Sequence, residues 1–335
     1  MLLVSLGSTG GLRAADEELA GALRRAGATV AIVRARRPRP VRTLALTDLA
    51  WAVAARDAAI RGIELARPRA LLYSTTTSAL LAPAPGAIRF DAPSAGNRPG
   101  RHGLWQRPLE RRRLRAATLL VPWSEGGLAE APTPRADALV VPVPVVASGP
   151  PAPGRDVAAV TYGANARKKG LDRVLDAWRT AARPDERLVV AGASAGEVAR
   201  RLGGAAAATP GVSFAGALPP AEYRSLLRRS RAFVTGVRRE DYGIAQLEAL
   251  ADGCLLVTTA PPGPYAALPL ARRLDPRLVG EDLAGGLRTA LDDPRPDYAA
   301  AAADALVPWR PAQIDAIVAE RLLPRLLEGP GARLA

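Results

Sequence analysis

Short apolar runs alternate with longer stretches of helical periodicity along nearly the whole 335-residue chain. That alternation restricts the fold more than any other feature. A strand, helix, strand order packs best as a right-handed crossover between parallel strands. The opening shows the unit. Leu2 to Leu6 reads as a strand and Gly7-Ser8-Thr9-Gly10-Gly11 as a loop. Ala14 to Ala26 reads as a helix stopped by Gly27, and Thr29 to Val33 as the next strand. The loop does not have the G-x-G-x-x-G order of a dinucleotide site, and no acid closes the second strand. It reads as a tight turn or a close approach to a phosphate or an acceptor.

Further units follow. A helix is expected over 44–66, strands over 70–74 and 87–91, a helix over 109–117 and a strand over 118–122. Ala138 to Val143 reads as the last strand of this half. Pro144 to Gly154 is rich in Pro and Gly and reads as an inter-domain linker. The second half repeats the theme. Strands are expected over 157–162, 187–192, 212–216, 232–237 and 254–259, with helices between them and last helices over 283–291 and 312–327. The chain therefore reads as α/β, with two doubly wound domains facing each other across a cleft. Residues 1–146 form the first domain and 147–310 the second. Residues 311–335 form a C-terminal helix able to cross back to the first.

Charge narrows the partners. The net charge is +14, and residues 1–150 hold 21 basic against 11 acidic residues. Two arginine runs carry the excess, Arg34 to Arg42 and Arg98 to Arg115, and the second includes Leu104 and Trp105. Such a basic, partly apolar surface suits anionic lipid headgroups or an acidic acceptor, with a solvated arginine face as the competing reading. No zinc spacing, recognition helix or aromatic-basic sheet motif supports a nucleic-acid partner. Cys254 is the sole cysteine, so an intramolecular disulfide is excluded. No leader peptide and no membrane-length apolar run is visible, so the expectation is a cytoplasmic protein able to touch the membrane's cytoplasmic face.

Two motifs carry chemistry. Lys168 and Lys169 are the only lysines in a chain that otherwise uses arginine. They follow strand 157–162 and its loop, and precede a helix with Leu171, Val174, Leu175 and Trp178 on one stripe. A compact ammonium on a flexible stem suits a diphosphate. Glu240 and Glu248 bracket Asp241-Tyr242-Gly243-Ile244-Ala245-Gln246-Leu247 between a strand and a short helix that ends at Gly253. Gly243 lies where that helix begins, and free amides and a positive dipole there favour phosphate. Carboxylates beside it can accept hydrogen bonds from sugar or ribose hydroxyls. The pattern reads as a site for a nucleotide joined to a hydroxyl-rich group.

At these residues the chain resembles the GT-B glycosyltransferases of two Rossmann-like domains, in particular the retaining group called family 4. The likeness is good over about 157–305 and only in outline before that. Gly163 to Gly170 resembles the family's glycine, basic, Lys-Gly element, and Glu240 with Glu248 its Glu-x7-Glu element. The resemblance implies that Lys169 contacts the donor diphosphate, that Glu240 faces the transferred sugar and that Glu248 binds the ribose. Gly163, Asn165, Arg167, Lys168, Gly216, Ala217, Tyr242, Gly243 and Ile244 would complete the donor site. Gly10 and Gly11 would face the reaction centre on the acceptor side, with Asp91 and His102. The family often has arginine where Ala164 stands, and Arg167 or Lys168 is expected to supply that charge. It also often has a first-domain histidine where Phe90-Asp91 stands.

The expected reaction is transfer of a sugar from a nucleoside-diphosphate donor to a carbohydrate, lipid-linked or small-molecule acceptor. The reaction is expected to retain configuration and to need neither metal nor cofactor, the nucleotide sugar being a co-substrate. The alternative is a catalytically weakened scaffold of the same fold that binds nucleotide or sugar without turnover.

Overall fold

The computed structural model describes the chain except for Pro40, Arg42, Pro99, Pro134 and residues 329–335, and except for the side chains of Leu44 and His102. The chain divides into two compact units. One runs from Met1 to Pro144 and regains the chain at Trp309, and the other is Val145–Pro308.

The first unit is built on five parallel strands, β1 (Leu2–Ser5), β2 (Ala31–Arg34), β3 (Leu71–Tyr73), β4 (Ala87–Phe90) and β5 (Leu120–Pro122), in the order β2-β1-β3-β4-β5. These strands are apolar on both faces because both faces are covered. Leu3, Leu72, Leu119 and Val121 pack with Leu19 and Leu23 of the helix Gly10–Arg25. Leu2, Val4, Leu71, Ile88 and Phe90 point the other way, toward Ala55 and Ala59 of the helix Leu44–Ala66.

The C-terminal segment joins the first of these layers through Ile314, Val318, Leu322 and Leu326. Arg25 forks onto the Asp315 carboxylate at 2.9 and 2.7 Å. The segment is not the single regular helix the periodicity predicts. Helix Pro311–Ile317 widens into a π turn over Val318–Leu322 before Leu323–Glu328 resumes. Pro324 explains the widening, since it has no N–H for the preceding turn and its ring crowds that turn's carbonyl.

One expected strand is absent. Ala138 forms only an isolated bridge to Leu120, although Leu139 and Val141 donate to the Leu120 and Pro122 carbonyls. Pro122 has no N–H to return the next bond, and Pro142 removes another donor, so the ladder stops.

The second unit repeats the plan with β6 (Val157–Tyr162), β7 (Leu188–Ala191), β8 (Val212–Gly216), β9 (Ser230–Thr235) and β10 (Leu255–Thr258), ordered β10-β9-β6-β7-β8 and parallel. Chain order reverses at β6. The connections run outward through β7 and β8, then return to β9 on the other side. The carboxyl ends of β6 and β9 therefore flank a topological switch point, where adjacent loops splay apart and leave room for a ligand. In the first sheet the same reversal falls between β1 and β3.

The Pro- and Gly-rich stretch after residue 144 is fastened to the second unit. Ser148 donates its N–H and Oγ to Asp252, and Ala152 N–H donates to the Arg228 carbonyl. Among the described residues no helix is long and apolar enough to cross a membrane.

Candidate functional site

Two loops meet at the switch point of the second sheet, and glycine is the reason. The β6 loop folds on itself: Lys169 N–H donates to the Asn165 carbonyl at 2.8 Å, and Leu171 N–H to the Ala166 carbonyl at 2.9 Å. Gly170 then takes a left-handed φ of 63° at the start of helix Leu171–Ala181. A Cβ there would stand 1.9 Å from the Gly236 carbonyl oxygen. That close approach brings the lysine turn against the exit of β9.

The lysines meet the acids as a result. Lys169 Nζ donates to Glu240 Oε2 at 2.7 Å, and Lys168 Nζ to Asp241 Oδ2 at 2.9 Å. Both carboxylates are buried. Gln246, one turn into the next helix and itself buried, donates Nε2 to Glu240 Oε2 at 3.0 Å. Arg239 Nε donates to the other oxygen of Asp241 at 3.1 Å. Two lysine–carboxylate pairs thus stand side by side at the exit of β9, with both ammonium groups more exposed than their partners.

The helix Ile244–Ala251 starts beside them. Gly243 has φ 91°, and Leu247 N–H is the first to bond back to its carbonyl, at 3.0 Å. The preceding amides have no partner within the helix, which makes this end an anion acceptor. Tyr242 is buried and supports the turn, its carbonyl accepting from Ala266 N–H.

Glu248 sits about one turn further along the helix. Its Oε1 lies 3.7 Å from Arg224 Nη1. Burial pushes its pKa above the ordinary carboxylate value, Arg224 pulls it back, and Asp252 adds to the rise. Arg224 is itself held in place. It forks onto the fully buried Asp252 at 2.6 and 2.9 Å and donates to the Val146 carbonyl at 2.7 Å. The rings of Tyr162 and Tyr223 meet edge-on, 5.6 Å between centroids. Both phenols are raised by burial and secondarily by the Glu248 charge.

The structure therefore brings together Gly163, Asn165, Lys168, Lys169, Glu240, Tyr242, Gly243 and Ile244 on the β6 and β9 loops, with Glu248 on the helix that follows. Arg167 is exposed and contributes its carbonyl to Arg238. Gly216 and Ala217 stand at the exit of edge strand β8, two strands from β6, where Gly216 accepts from Gly192 N–H. In the first unit Gly10 and Gly11 begin a helix capped by Thr9 Oγ1, and Asp91 follows β4 with its Oδ1 accepting from Ala92 N–H. Both stand at carboxyl ends of strands. His102 belongs to the 3-10 turn Gly100–Gly103, and its side chain lies outside the described residues.

Sequence reasoning missed Asp241 and Gln246 as partners of the site. It missed Arg224 with Asp252 altogether. Asp241 was legible in principle as an acid adjoining Glu240 with two lysines to match. Arg224 carried no signal, being one arginine among many. Among the described residues no group of three or more His, Cys, Asp or Glu is placed to hold a metal ion.

Comparison with known proteins bears on the fold. Residues 147–299 match the family model described as glycosyl transferases group 1. No curated protein sequence matches the chain significantly. Solved structures resemble it over nearly its whole length. Sucrose-phosphate synthase from Thermosynechococcus elongatus is 14% identical with a TM-score of 0.72, covering 94% of this chain and 95% of that one. WaaG, a glycosyltransferase involved in lipopolysaccharide biosynthesis, is 16% identical with a TM-score of 0.71, covering 96% and 100%. HepE from Anabaena, solved in complex with UDP and glucose, is 14% identical with a TM-score of 0.68, covering 96% and 98%. The fold is thus the two-domain α/β architecture of the GT-B glycosyltransferases. The match to the group 1 glycosyl transferase model lies within the second unit.

Proposed function

We propose that the chain transfers a sugar from a nucleoside-diphosphate donor to a carbohydrate, lipid-linked or small-molecule acceptor, with retention of configuration and without a metal or cofactor. The observation that carries this reading is the meeting of Lys169, Glu240 and the Gly243 helix end at one switch point. The three supply an ammonium, a carboxylate and free amides at the carboxyl ends of adjacent strands β6 and β9.

The diphosphate lies against the Gly243–Ile244 amides and Lys169. As the bond from sugar to phosphate breaks, negative charge grows on the leaving oxygens, and these groups stabilise it from fixed positions. Lys168 adds charge from the same β6 loop as Ala164. Glu240 faces the sugar, accepts from its hydroxyls and tolerates positive character at the anomeric carbon. Glu248 accepts from the ribose hydroxyls, and Arg224 keeps that carboxylate oriented. Gly10, Gly11 and Asp91 of the first unit are assigned to the acceptor. The scaffold-only reading rests on Ala164, which leaves the β6 loop without the family's arginine, and on Phe90-Asp91, which stand where the family often has a histidine.

Thermal-shift screening against UDP, GDP, ADP and their sugars tests donor binding, since a ligand of the native state raises the melting temperature. Transfer from a labelled donor separates an enzyme from a scaffold. NMR of the product's anomeric configuration tests retention, and turnover in EDTA tests metal independence. A chain whose melting temperature moves with none of these nucleotides would overturn the reading.

A further inference from the structure

We infer that Gln246 is a positioning residue of the proposed transfer: its side-chain amide keeps the Glu240 carboxylate in place against the sugar while Lys169 serves the diphosphate. The inference rests on the donor reading above and names a residue which that reading leaves without a role.

Glu240 takes its hydrogen bonds from two kinds of donor. Lys169 Nζ and Gln246 Nε2 both reach Oε2, at 2.7 and 3.0 Å, while the Asp241 N–H reaches Oε1 at 3.3 Å. Lys169 stands on the β6 loop with its side chain 22% exposed, an ammonium on a flexible four-carbon stem. Gln246 is 1% exposed and lies in the first turn of helix Ile244–Ala251. The lysine is therefore free to turn to an arriving phosphate, whereas packing holds the amide where it is. Once Lys169 turns away, Gln246 still holds Oε2.

The other end of the amide shows what this arrangement costs. Gln246 Oε1 is buried and meets no donor at bonding distance. It faces the Gly243 turn, where a Cβ on Gly243 would stand 3.3 Å from it and 2.7 Å from Tyr265 Cε2. The Tyr265 hydroxyl already meets Thr258 Oγ1, at 3.2 Å. An unpaired buried acceptor destabilises a fold, and native structures rarely keep one without a reason. The neighbouring Leu247, Ala249 and Leu250 are apolar and buried, so an apolar side chain at 246 would remove the orphan and suit its surroundings. The amide is kept because its other end is needed.

The helix gives that end its precision. The amides assigned to the diphosphate belong to the first turn of the same helix. Gln246 thus ties the sugar-side carboxylate to the element that carries the phosphate. A carboxylate held on that frame stabilises positive character at the sugar without reorganising. A bond from Lys169 alone would fail at the moment the lysine moves to the leaving oxygens.

The test uses the full chain, with UDP, GDP and ADP and their sugars, and Gln246→Met as the first variant. Methionine keeps the volume and removes both the donor and the orphan acceptor. These losses offset each other, so the melting temperature should stay within about 3 °C of wild type. The nucleotide thermal shift should keep its wild-type size. The kcat should fall about 10-fold, with the donor KM within about twofold. Gln246→Glu is the second variant. The introduced carboxyl faces Glu240, so the two share a proton. Around them stand Lys169 from the β6 loop, Asp241 with its partners Lys168 and Arg239, and Tyr265, whose phenol burial pushes up. While the proton is shared, an O–H replaces the amide donor; once it leaves, two carboxylates repel. The kcat relative to wild type should therefore fall at least about 5-fold between about pH 6 and about pH 8. Wild-type kcat in Gln246→Met overturns the inference. Loss of the thermal shift in step with turnover overturns it too, since the residue would then only maintain the site. A Gln246→Glu profile parallel to wild type is the third overturning result. A wild type that binds none of these nucleotides and transfers no sugar removes the donor reading itself, an outcome distinct from all three.

Discussion

Replacing Arg224 with methionine tests how the second unit fixes its Glu248 carboxylate. Asp252 is fully buried and accepts four hydrogen bonds, from Ser148 N–H at 2.7 Å, Ser148 Oγ at 3.1 Å, and Arg224 at 2.6 and 2.9 Å. Methionine keeps much of the packing of the arginine stem but removes both charge-assisted bonds. Breaking a buried ion pair by deleting one partner costs about 3–5 kcal/mol. Arg224 keeps some solvent access and Ser148 remains, so the lower end applies, about 3 kcal/mol. At roughly 3 °C per kcal/mol for a domain of this size, the melting temperature should fall by about 10 °C. Urea denaturation of Arg224→Met, Asp252→Asn and the double variant forms a cycle. The double variant should lose about 1.5 kcal/mol less than the sum of the singles, because no buried charge is left alone. Singles that add to within about 0.5 kcal/mol would refute the coupling. The same variant has a functional readout. Loss of the guanidinium removes the group that lowers the Glu248 pKa, so nucleotide binding in Arg224→Met should fail at a higher pH than in wild type.

Other expectations follow from single contacts. Gly170→Ala forces a Cβ against the Gly236 carbonyl at a left-handed φ and should cost about 3 kcal/mol or more in urea unfolding, whereas Gly203→Ala, with open space around it, should cost about 1 kcal/mol. Lys169→Met should lower kcat about 100-fold in the transfer assay, while Lys168→Met should act mainly on the donor's KM. Burial raises the folded pKa of Glu248, so its protonated form stabilises the free protein below the unfolded value, and that contribution is lost as pH rises through the folded pKa. Nucleotide affinity should move oppositely, rising with pH as the carboxylate ionises. Calorimetric titration should show this in wild type, and Glu248→Gln should flatten the profile.

The order of elements was legible because strands such as β1, β3 and β7 are apolar on both faces and helices such as Gly10–Arg25 carry a stop signal. β6 and β8 match their expected bounds, and helix Leu44–Ala66 begins and ends where its pattern does. What escaped depends on partners distant in sequence. Ala138–Val143 looks like a strand until Pro122, on its neighbour, fails to supply a donor. Short helices such as Glu125–Ala129 hold too few residues to show a period. In the site, Lys169 and Glu240 were legible because each stands in a loop after a strand. The pairing of Lys168 with Asp241 was not, since it needs the close approach of Gly170 and Gly236, which is a property of two loops together.

The resting ion pairs have a consequence for which anions the crevice accepts. A bare phosphate or sulfate that draws Lys169 to itself strands the Glu240 carboxylate, leaving Gln246 Nε2 and the Asp241 amide as its donors. Desolvated carboxylates left short of donors are costly, so such ions gain little by entering. A molecule that brings hydroxyls along with its diphosphate replaces what the acid loses. At the proposed donor site the internal acids would act as a sieve, turning away small anions and admitting the composite ligand that satisfies both sides of the broken pair at once.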